Sequence, residues 1–553
     1  MRLHLKSFIS LAALVVARPF SLWAGDPSVV GQWSSVLPWP AIPIHVHLLK
    51  TGSVLTWQTG PTASVWDPVT GLFTSVPNPW VDLLCAGHTF LPDGRFITLG
   101  GWDRTSGLGL TEVDLFDPAV RSWSQAAPMT YKRWYATCTV LPDGRILATS
   151  GDQNWYDDIA AIPEIYDPVV NTWTPLTQAS NALPVYPFMY VLPDGRLISV
   201  GTSEVASDTQ VLDLATQTWT ILDNRVIEGG SVAMFQPGKF MKAGSASDDG
   251  LPGLSVATAF VLDLTQPNPA WRPTASMATP RSFLNLTMLP DGNVLCTGGG
   301  TDRTGFDTNH AVLSAEMWSP VTEAWTTRSS MQTPRLYHST ALLLPDARVL
   351  VAGGGGDLDV VDQLSGEVFS PPYLFKGPRP TITATPSTLS YGSNFLVTTP
   401  DASIISSVSL IGLGSVTHSF NQNQRFLNCD LQVAPGGINV RAPANSKLAP
   451  PGYYLLFLVS SKGVPSVGAL VNLPVVLPSP HIDSFTVVGG RLVLRSTGPA
   501  RASCTFLMAT NCAQPLNTWT PVVTSAFDAT GQLAFTNALD PAMLGKFYRL
   551  RMP

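Results

Sequence analysis

Hydrophobic positions in this chain come in short runs that recur behind the same turn, with no long stretch at helical spacing. "FITLGG", "ILATSG", "LISVG", "VLCTGGG" and "VLVAGGG" are apolar runs closing on glycine, each preceded by a polar phrase. That phrase is "LPDGR" at Leu91, Leu141 and Leu192, "QPGK" at Gln236, "LPDGN" at Leu289 and "LPDAR" at Leu344, with a diverged "KTGS" at Lys50. Proline sets φ for the first turn position and glycine accepts positive φ, so each phrase predicts a β-hairpin between apolar strands. Further strands follow in "LFDPAVRSW", "IYDPVVNTW", "VLDLATQTW" and "MWSPVTEAW", each a strand, a turn and a tryptophan able to pack between neighbouring sheets.

The turn prolines Pro92, Pro142, Pro193, Pro237, Pro290 and Pro345 are 50, 51, 44, 53 and 55 residues apart. This is close to the roughly 50-residue period of kelch-type blades. One such sheet cannot bury both faces, whereas a ring of them can. The expected fold is therefore all-β: a seven-bladed kelch-type β-propeller over residues 25–376, with "GQWSSV" and "GEVFSP" pairing to close the ring. Beyond "SPPYLFKGPRPTI" the alternation in "PTITATP", "NFLVTT", "SVSLIGL" and "YYLLFLVSS" predicts an immunoglobulin-like β-sandwich over 377–475. "VVLPSPHIDSF" then links to a small β-rich module at 480–553, where Cys504 and Cys512 are candidates for a disulfide if the compartment is oxidising.

Composition agrees with this picture and excludes some partners. Of 553 residues only 13% are charged, while Pro (48), Gly (45) and Trp (16) are abundant, as suits many short strands and tight turns. The net charge of -6 is scattered, with no basic stripe to neutralise phosphates, so nucleic acid is not an expected partner. Arg2 and Lys6 precede an apolar run from Phe8 to Ala17 with a small-residue exit near Ala24, which predicts a signal peptide at 1–24, interrupted by Arg18 and Pro19. The run is too short to span a bilayer. A secreted or periplasmic protein is expected; a disordered start on a cytoplasmic protein is the alternative.

The register of the repeats brings out chemistry. Seven residues before the six turn prolines stand Cys85, Tyr135, Tyr186, Gly230, Phe283 and His338. In a propeller the first strand of each blade lines the central channel, so residues leading into those strands converge on one axis. Tyr337 precedes His338, and the two can face a common target only if the lead-in is irregular, because adjacent strand residues point to opposite faces. Phenol and imidazole ligands in a tetragonal set suit Cu(II), whereas a thiolate-rich set would indicate zinc or an iron–sulfur cluster. A buried inert thiol at Cys85 and hydrogen-bonded packing roles for Tyr337 and His338 are the plain readings of each residue alone; the shared register favours a common site. His45 and His47, two apart on one strand, are read as packing residues for want of further ligands, and His88, Gly230 and Phe283 as structural.

"LLCAGHTFLPDG", "RWYATCTVLPDGR", "PRLYHSTALLLPDAR", "GSVTHSFNQNQR" and "PPGYYLLFLVSSKGVPSV" together resemble the copper radical oxidases of the galactose oxidase and glyoxal oxidase type, over about Gln32 to Leu473. "VYPFMYVLPDGR" is more similar to the glyoxal oxidase branch and its bacterial relatives. The resemblance implies one copper ion held by Tyr135, Tyr337, His338 and His418. It also implies a Cys85–Tyr135 thioether serving as the radical site, and Tyr337 as general base. It implies an alcohol or aldehyde substrate oxidised by O2 with release of hydrogen peroxide, and an aromatic over the metal, for which Trp155 and Tyr186 are candidates. A non-catalytic kelch scaffold binding glycan or protein is the alternative. A propeller hydrolase would need paired carboxylates at the channel, and the equivalent positions supply none.

Overall fold

A computed structural model describes residues 25–154, 158–246, 253–357, 360–477, 479–528, 530–539 and 545–552. The expected signal peptide and Trp155 lie outside these residues. The described chain is a β-propeller joined to a β-sandwich, nearly devoid of helix. Each turn phrase closes a hairpin as predicted: the amide of Leu91 donates to the Arg95 carbonyl and that of Leu141 to Arg145, both at 2.8 Å, with Gly94 and Gly144 at φ 81° and 88°.

Among the described residues these hairpins build seven successive antiparallel sheets. The first contains His45–Leu48, Val54–Trp57, Ser64–Trp66 and Phe73–Ser75; the second Gly87–Phe90, Phe96–Leu99, Val113–Asp117 and Ser122–Gln125. The last is Ser339–Leu343, Val349–Gly353 and Ser365–Ser370, completed from the other end of the chain by Gln32–Trp33, with Gln32 opposite Ser370 and Trp33 opposite Phe369. This is the pairing expected of "GQWSSV" and "GEVFSP", and it closes the ring. The first strands of the second, third and fourth sheets lie side by side, as do those of the fifth, sixth, seventh and first.

The recurring tryptophans join adjacent sheets. Trp123, Trp173, Trp219 and Trp325 donate their indole N–H to the carbonyls of Val76, Ala127, Ala179 and Ala275 just past the outer strand of the preceding sheet, at 2.8–2.9 Å. Trp33 does the same to Ser329 across the closure, at 2.8 Å. Aromatic bulk and a satisfied polar handle thus recur at these five joints.

Buried ion pairs tie down the segments leading into three inner strands. Arg133–Glu164, Arg281–Glu316 and Arg335–Glu367 have fully buried side chains, with N···O distances of 3.1, 2.9 and 3.6 Å. Glu316 also accepts the Ala278 amide at 2.7 Å, and Arg281 donates to the carbonyls of Gly298 and Ser314 at 3.0 and 2.7 Å. Glu316→Ala would leave the guanidinium buried without its counter-charge. The expected loss is about 3–5 kcal/mol, seen as a lower denaturation midpoint; replacing Arg281 and Glu316 together with apolar residues should cost less.

The sandwich packs Asn394–Thr398, Leu431–Ala434 and Gly437–Arg441 against Ile405–Gly412, Phe426–Cys429, Gly452–Ser460 and Ala469–Leu473, around Val397, Leu410, Leu456 and Val471. The strand expected in "PTITATP" does not form: Ala384 makes one isolated bridge to Thr398, and the flanking prolines lack the N–H that a ladder requires. Residues 481–551 form two three-stranded sheets. The pairing of Cys504 and Cys512, open from the sequence, is not formed in this structure: Cys504 is buried within a strand while Cys512 is exposed beyond it, and both are free thiols.

Between Gly412 and Phe426 the chain leaves the sandwich and enters the channel. Ser415–Thr417 adds to the inner edge of the first sheet, with Val46 opposite Val416. The polar run that follows satisfies backbone donors and an acceptor on other inner strands: Gln422 accepts the Cys138 amide and Gln424 the Met288 amide, both at 2.9 Å, while Arg425 donates to the Val191 carbonyl at 2.9 Å. Buried backbone groups facing the channel need such partners, which explains the density of Asn and Gln in "FNQNQR". No helix among the described residues is long and apolar enough to cross a membrane.

Candidate metal centre

Five of the six register positions, all but Gly230, share an unusual backbone conformation. Cys85, Tyr135, Tyr186, Phe283 and His338 have φ of 55°, 64°, 44°, 48° and 64°, and His418 on the channel segment has 44°. Left-handed geometry at a non-glycine residue costs on the order of 1–3 kcal/mol and persists only where the surroundings enforce it. Hydrogen bonds between neighbouring lead-ins do so here: the Tyr135 amide donates to the Cys85 carbonyl at 2.9 Å and the Tyr186 amide to the Tyr135 carbonyl at 2.8 Å. At His338 the same turn removes the strand alternation, so that the rings of Tyr337 and His338 stack with centroids 3.8 Å apart. This is the irregular lead-in that a shared target requires.

The side chains meet at the axis, all buried. The hydroxyls of Tyr135 and Tyr337 are 2.8 Å apart. The Cys85 Sγ is 3.5 Å from Nε2 of His418, and ligand atoms of Cys85, His338 and His418 all lie within 4.8 Å of one another. The His418 ring sits 4.9 Å from the Tyr135 ring and 4.6 Å from the His338 ring. Residues distant in sequence thus surround one point.

Both imidazoles are held in one tautomer. Nδ1 of His338 is 2.7 Å from the Gly355 carbonyl, which only accepts, so Nδ1 carries the proton and Nε2 is a bare lone pair. The Thr417 hydroxyl donates to the Ile44 carbonyl at 3.0 Å, and Nδ1–H of His418 therefore donates to the Thr417 oxygen at 2.7 Å, leaving its Nε2 bare as well. Burial pushes the His338 imidazole down to about 4 and holds that of His418 well below its ordinary value, while it raises the Cys85 thiol. Neutral imidazoles with one nitrogen fixed by an outer partner are the form that binds a metal.

These residues fit a copper ion. Nε2 of His338 is buried without a hydrogen-bond partner, a state that carries a desolvation cost unless something occupies the lone pair. Two imidazole nitrogens and two phenol oxygens form a nitrogen–oxygen set suited to Cu(II), with a single thiol beside them.

Tyr186 joins the cluster from the side of His418. It is fully buried, its ring 4.7 Å from His418 and its hydroxyl donating to the Ala86 carbonyl at 3.0 Å, so it backs the His418 ring. The reading of His45, His47 and His88 as packing residues proves incomplete: all are fully buried, and His45 accepts the Cys85 amide at Nε2, 3.1 Å away. Sequence reasoning also missed Thr417 and Gly355, the outer partners of the two histidines. The adjacent threonine in "VTHSF" and the glycine run "GGGG" were the available signals.

Comparisons with known proteins agree with this geometry. Residues 237–373 match the family model described as glyoxal oxidase N-terminus, and 379–473 the galactose oxidase-like, early set domain. A galactose oxidase of Gibberella zeae is 27% identical over 513 residues, covering 84% of this chain and 73% of the relative. The aldehyde oxidase GLOX of Vitis pseudoreticulata is 29% identical over 455 residues, covering 71% and 82%. A solved fungal alcohol oxidase of the AA5 family, in complex with copper, superposes with a TM-score of 0.71 at 26% identity, covering 80% of this chain and 100% of that one. Family models, relatives and the copper-bound structure together support placing this chain among the copper radical oxidases of the galactose oxidase and glyoxal oxidase family.

Proposed function

We propose that this chain oxidises a primary alcohol or an aldehyde with O2, yielding the aldehyde or carboxylic acid and hydrogen peroxide, and that Cys85, Tyr135, Tyr337, His338 and His418 carry the reaction. The observation behind this reading is the convergence of two bare Nε2 atoms, one of them without any partner, on a pair of phenols and a thiol. His338, His418, Tyr135 and Tyr337 would hold the copper ion, and Cys85 would be joined to Tyr135 through a thioether. When bound, copper supplies one-electron exchange.

The substrate gives up two electrons, so the protein must store the other equivalent, and a sulfur-substituted phenol at Tyr135 is easier to oxidise than a plain one. Tyr337 takes the proton of the substrate hydroxyl as general base, and Tyr135 receives hydrogen from the substrate carbon. An aldehyde offers the same O–H and C–H groups as its hydrate. Two electrons and two protons finally reach O2 as one hydrogen peroxide. Phe283 and Phe306, whose rings lie 4.8 and 5.5 Å from that of Tyr337, give this side an apolar wall suited to small alcohols or aldehydes.

The finer parts of this reading are that the seven sheets are the blades of one kelch-type propeller spanning 25–376, and that 377–475 is a separate sandwich delivering His418. Residues 480–553 are an accessory module, and the chain is exported behind a signal at 1–24. It stands nearest the glyoxal oxidase-like bacterial branch. Mass spectrometry of protein loaded with copper in air should show the Cys85 and Tyr135 peptides joined with two hydrogens lost. A peroxide-coupled screen should show turnover of small aldehydes or alcohols in preference to galactosides. Separate peptides and no peroxide would favour the non-catalytic scaffold.

A further inference from the structure

Three buried histidines and a serine, outside the proposed ligand set, form a continuous chain beside it. The Cys85 amide donates to Nε2 of His45 at 3.1 Å. That bond uses the Nε2 lone pair, so the proton of His45 sits on Nδ1, which is 3.1 Å from Nε2 of His88. His88 must accept there, which puts its own proton on Nδ1, 2.7 Å from the Ser415 hydroxyl. Ser415 accepts from His88 and can direct its single hydrogen to Nδ1 of His47, 3.1 Å away. The tautomers of His45 and His88 follow from the first bond, because a peptide N–H can only donate.

The two ends of the chain matter. One is the backbone of Cys85, held at a positive φ where a non-glycine residue does not stay unsupported. The other is Ser415, on the short strand that ends immediately before His418. The rings are clamped as well as bonded: His45 stacks on Trp57 with centroids 4.9 Å apart, and His47 lies 4.3 Å from Phe96. Ordinary packing would be met by apolar residues in these places. Three imidazoles and a hydroxyl, all fully buried and bonded in one direction, instead connect two segments more than 300 residues apart.

We propose that His45, His88 and Ser415 are positioning residues, a hydrogen-bond relay that holds the Cys85 peptide in register with the strand bearing His418 so that sulfur, phenol and imidazole meet at the metal centre. The inference rests on the oxidase reading given above. Its consequence is for assembly of the site. Joining Cys85 to Tyr135 forms one carbon–sulfur bond, expels the thiol hydrogen and one ring hydrogen, and passes two electrons and two protons to O2 as hydrogen peroxide. That step needs the sulfur held against the ring, and the relay is what fixes the peptide carrying it.

His88→Phe keeps the aromatic volume but leaves His45 Nδ1–H and the Ser415 hydroxyl without their partner. His88→Gln can accept from one and donate to the other. Ser415→Ala removes the last link with the least change in packing, which covers the case in which His88→Phe does not fold. Each full-length protein, made without copper, is mixed with Cu(II) in air; loss of two hydrogens is timed by mass spectrometry and the Cu(II) electron paramagnetic resonance spectrum is recorded anaerobically. Outer partners of metal ligands are commonly worth about 10–100-fold, and the expectation is that His88→Phe and Ser415→Ala cross-link at least about 10-fold more slowly, with altered copper hyperfine splitting, while His88→Gln recovers both. Folded His88→Phe or Ser415→Ala protein that cross-links at the wild-type rate with the wild-type spectrum would overturn the relay. Wild-type protein that never cross-links would overturn the oxidase reading beneath it.

Discussion

Tyr135→Phe is expected to reduce peroxide production to the assay floor with every alcohol and aldehyde, and to abolish the cross-link, while the protein stays folded. The reason lies in the one atom removed. The Tyr135 hydroxyl stands 2.8 Å from that of Tyr337 and its ring is 4.9 Å from His418, so the substitution preserves ring packing and deletes the oxygen to which the proposed function assigns both metal binding and hydrogen transfer. Tyr337→Phe makes the informative contrast. It removes a proton acceptor and leaves Cys85 and Tyr135 untouched, so the cross-link should still form while kcat falls by about 10²–10⁴-fold, the usual worth of a positioned base. Steady-state peroxide assays on both variants, with mass spectra of each, separate the two roles. Equal residual activity in the two would refute the division of labour.

The second large effect is expected at His418. His418→Ala removes a bare, neutral nitrogen at the centre of the cluster and opens a gap between Tyr135, Tyr186 and His338, whose rings all lie within 5 Å of its own. Copper affinity should fall by more than the roughly 10–100-fold attributed to outer partners, measured by competition with a calibrated chelator. Thr417→Val tests the supporting partner: it leaves His418 in place, removes the oxygen that holds its tautomer, and should weaken copper within that 10–100-fold range. A Thr417→Val protein as impaired as His418→Ala would show that the damage is to the channel segment as a whole.

Much of this architecture is legible in the sequence because it is periodic. The turn phrase recurs with a proline in six of its seven copies and a glycine at the positive-φ place in six, so the hairpins are local and each tryptophan falls at a fixed place in its sheet. The register that singles out Cys85, Tyr135 and His338 is legible for the same reason: counting from a turn is counting along one strand. Positions off that count stay hidden. His45 and His88 look like packing residues because their partner, Ser415, sits on a segment hundreds of residues away, and no periodicity connects the two. "PTITATP" alternates like a strand yet makes only the bridge from Ala384, since its prolines cannot donate. Tyr186 shares the register of the proposed ligands but turns its hydroxyl to the Ala86 carbonyl, a choice made by packing against His418.

What the sequence determined by itself is the repeated sheet, the turns that close it and the positions that lead into the channel, all of them consequences of short-range φ preferences and side-chain alternation. Only the tertiary structure decided which of those positions meet and in what protonation form. The bare nitrogens of His338 and His418 exist because a carbonyl at Gly355 and a hydroxyl at Thr417 claim the opposite ring atoms. A tautomer is set by the hydrogen bond on the other nitrogen, and that partner is supplied by the fold.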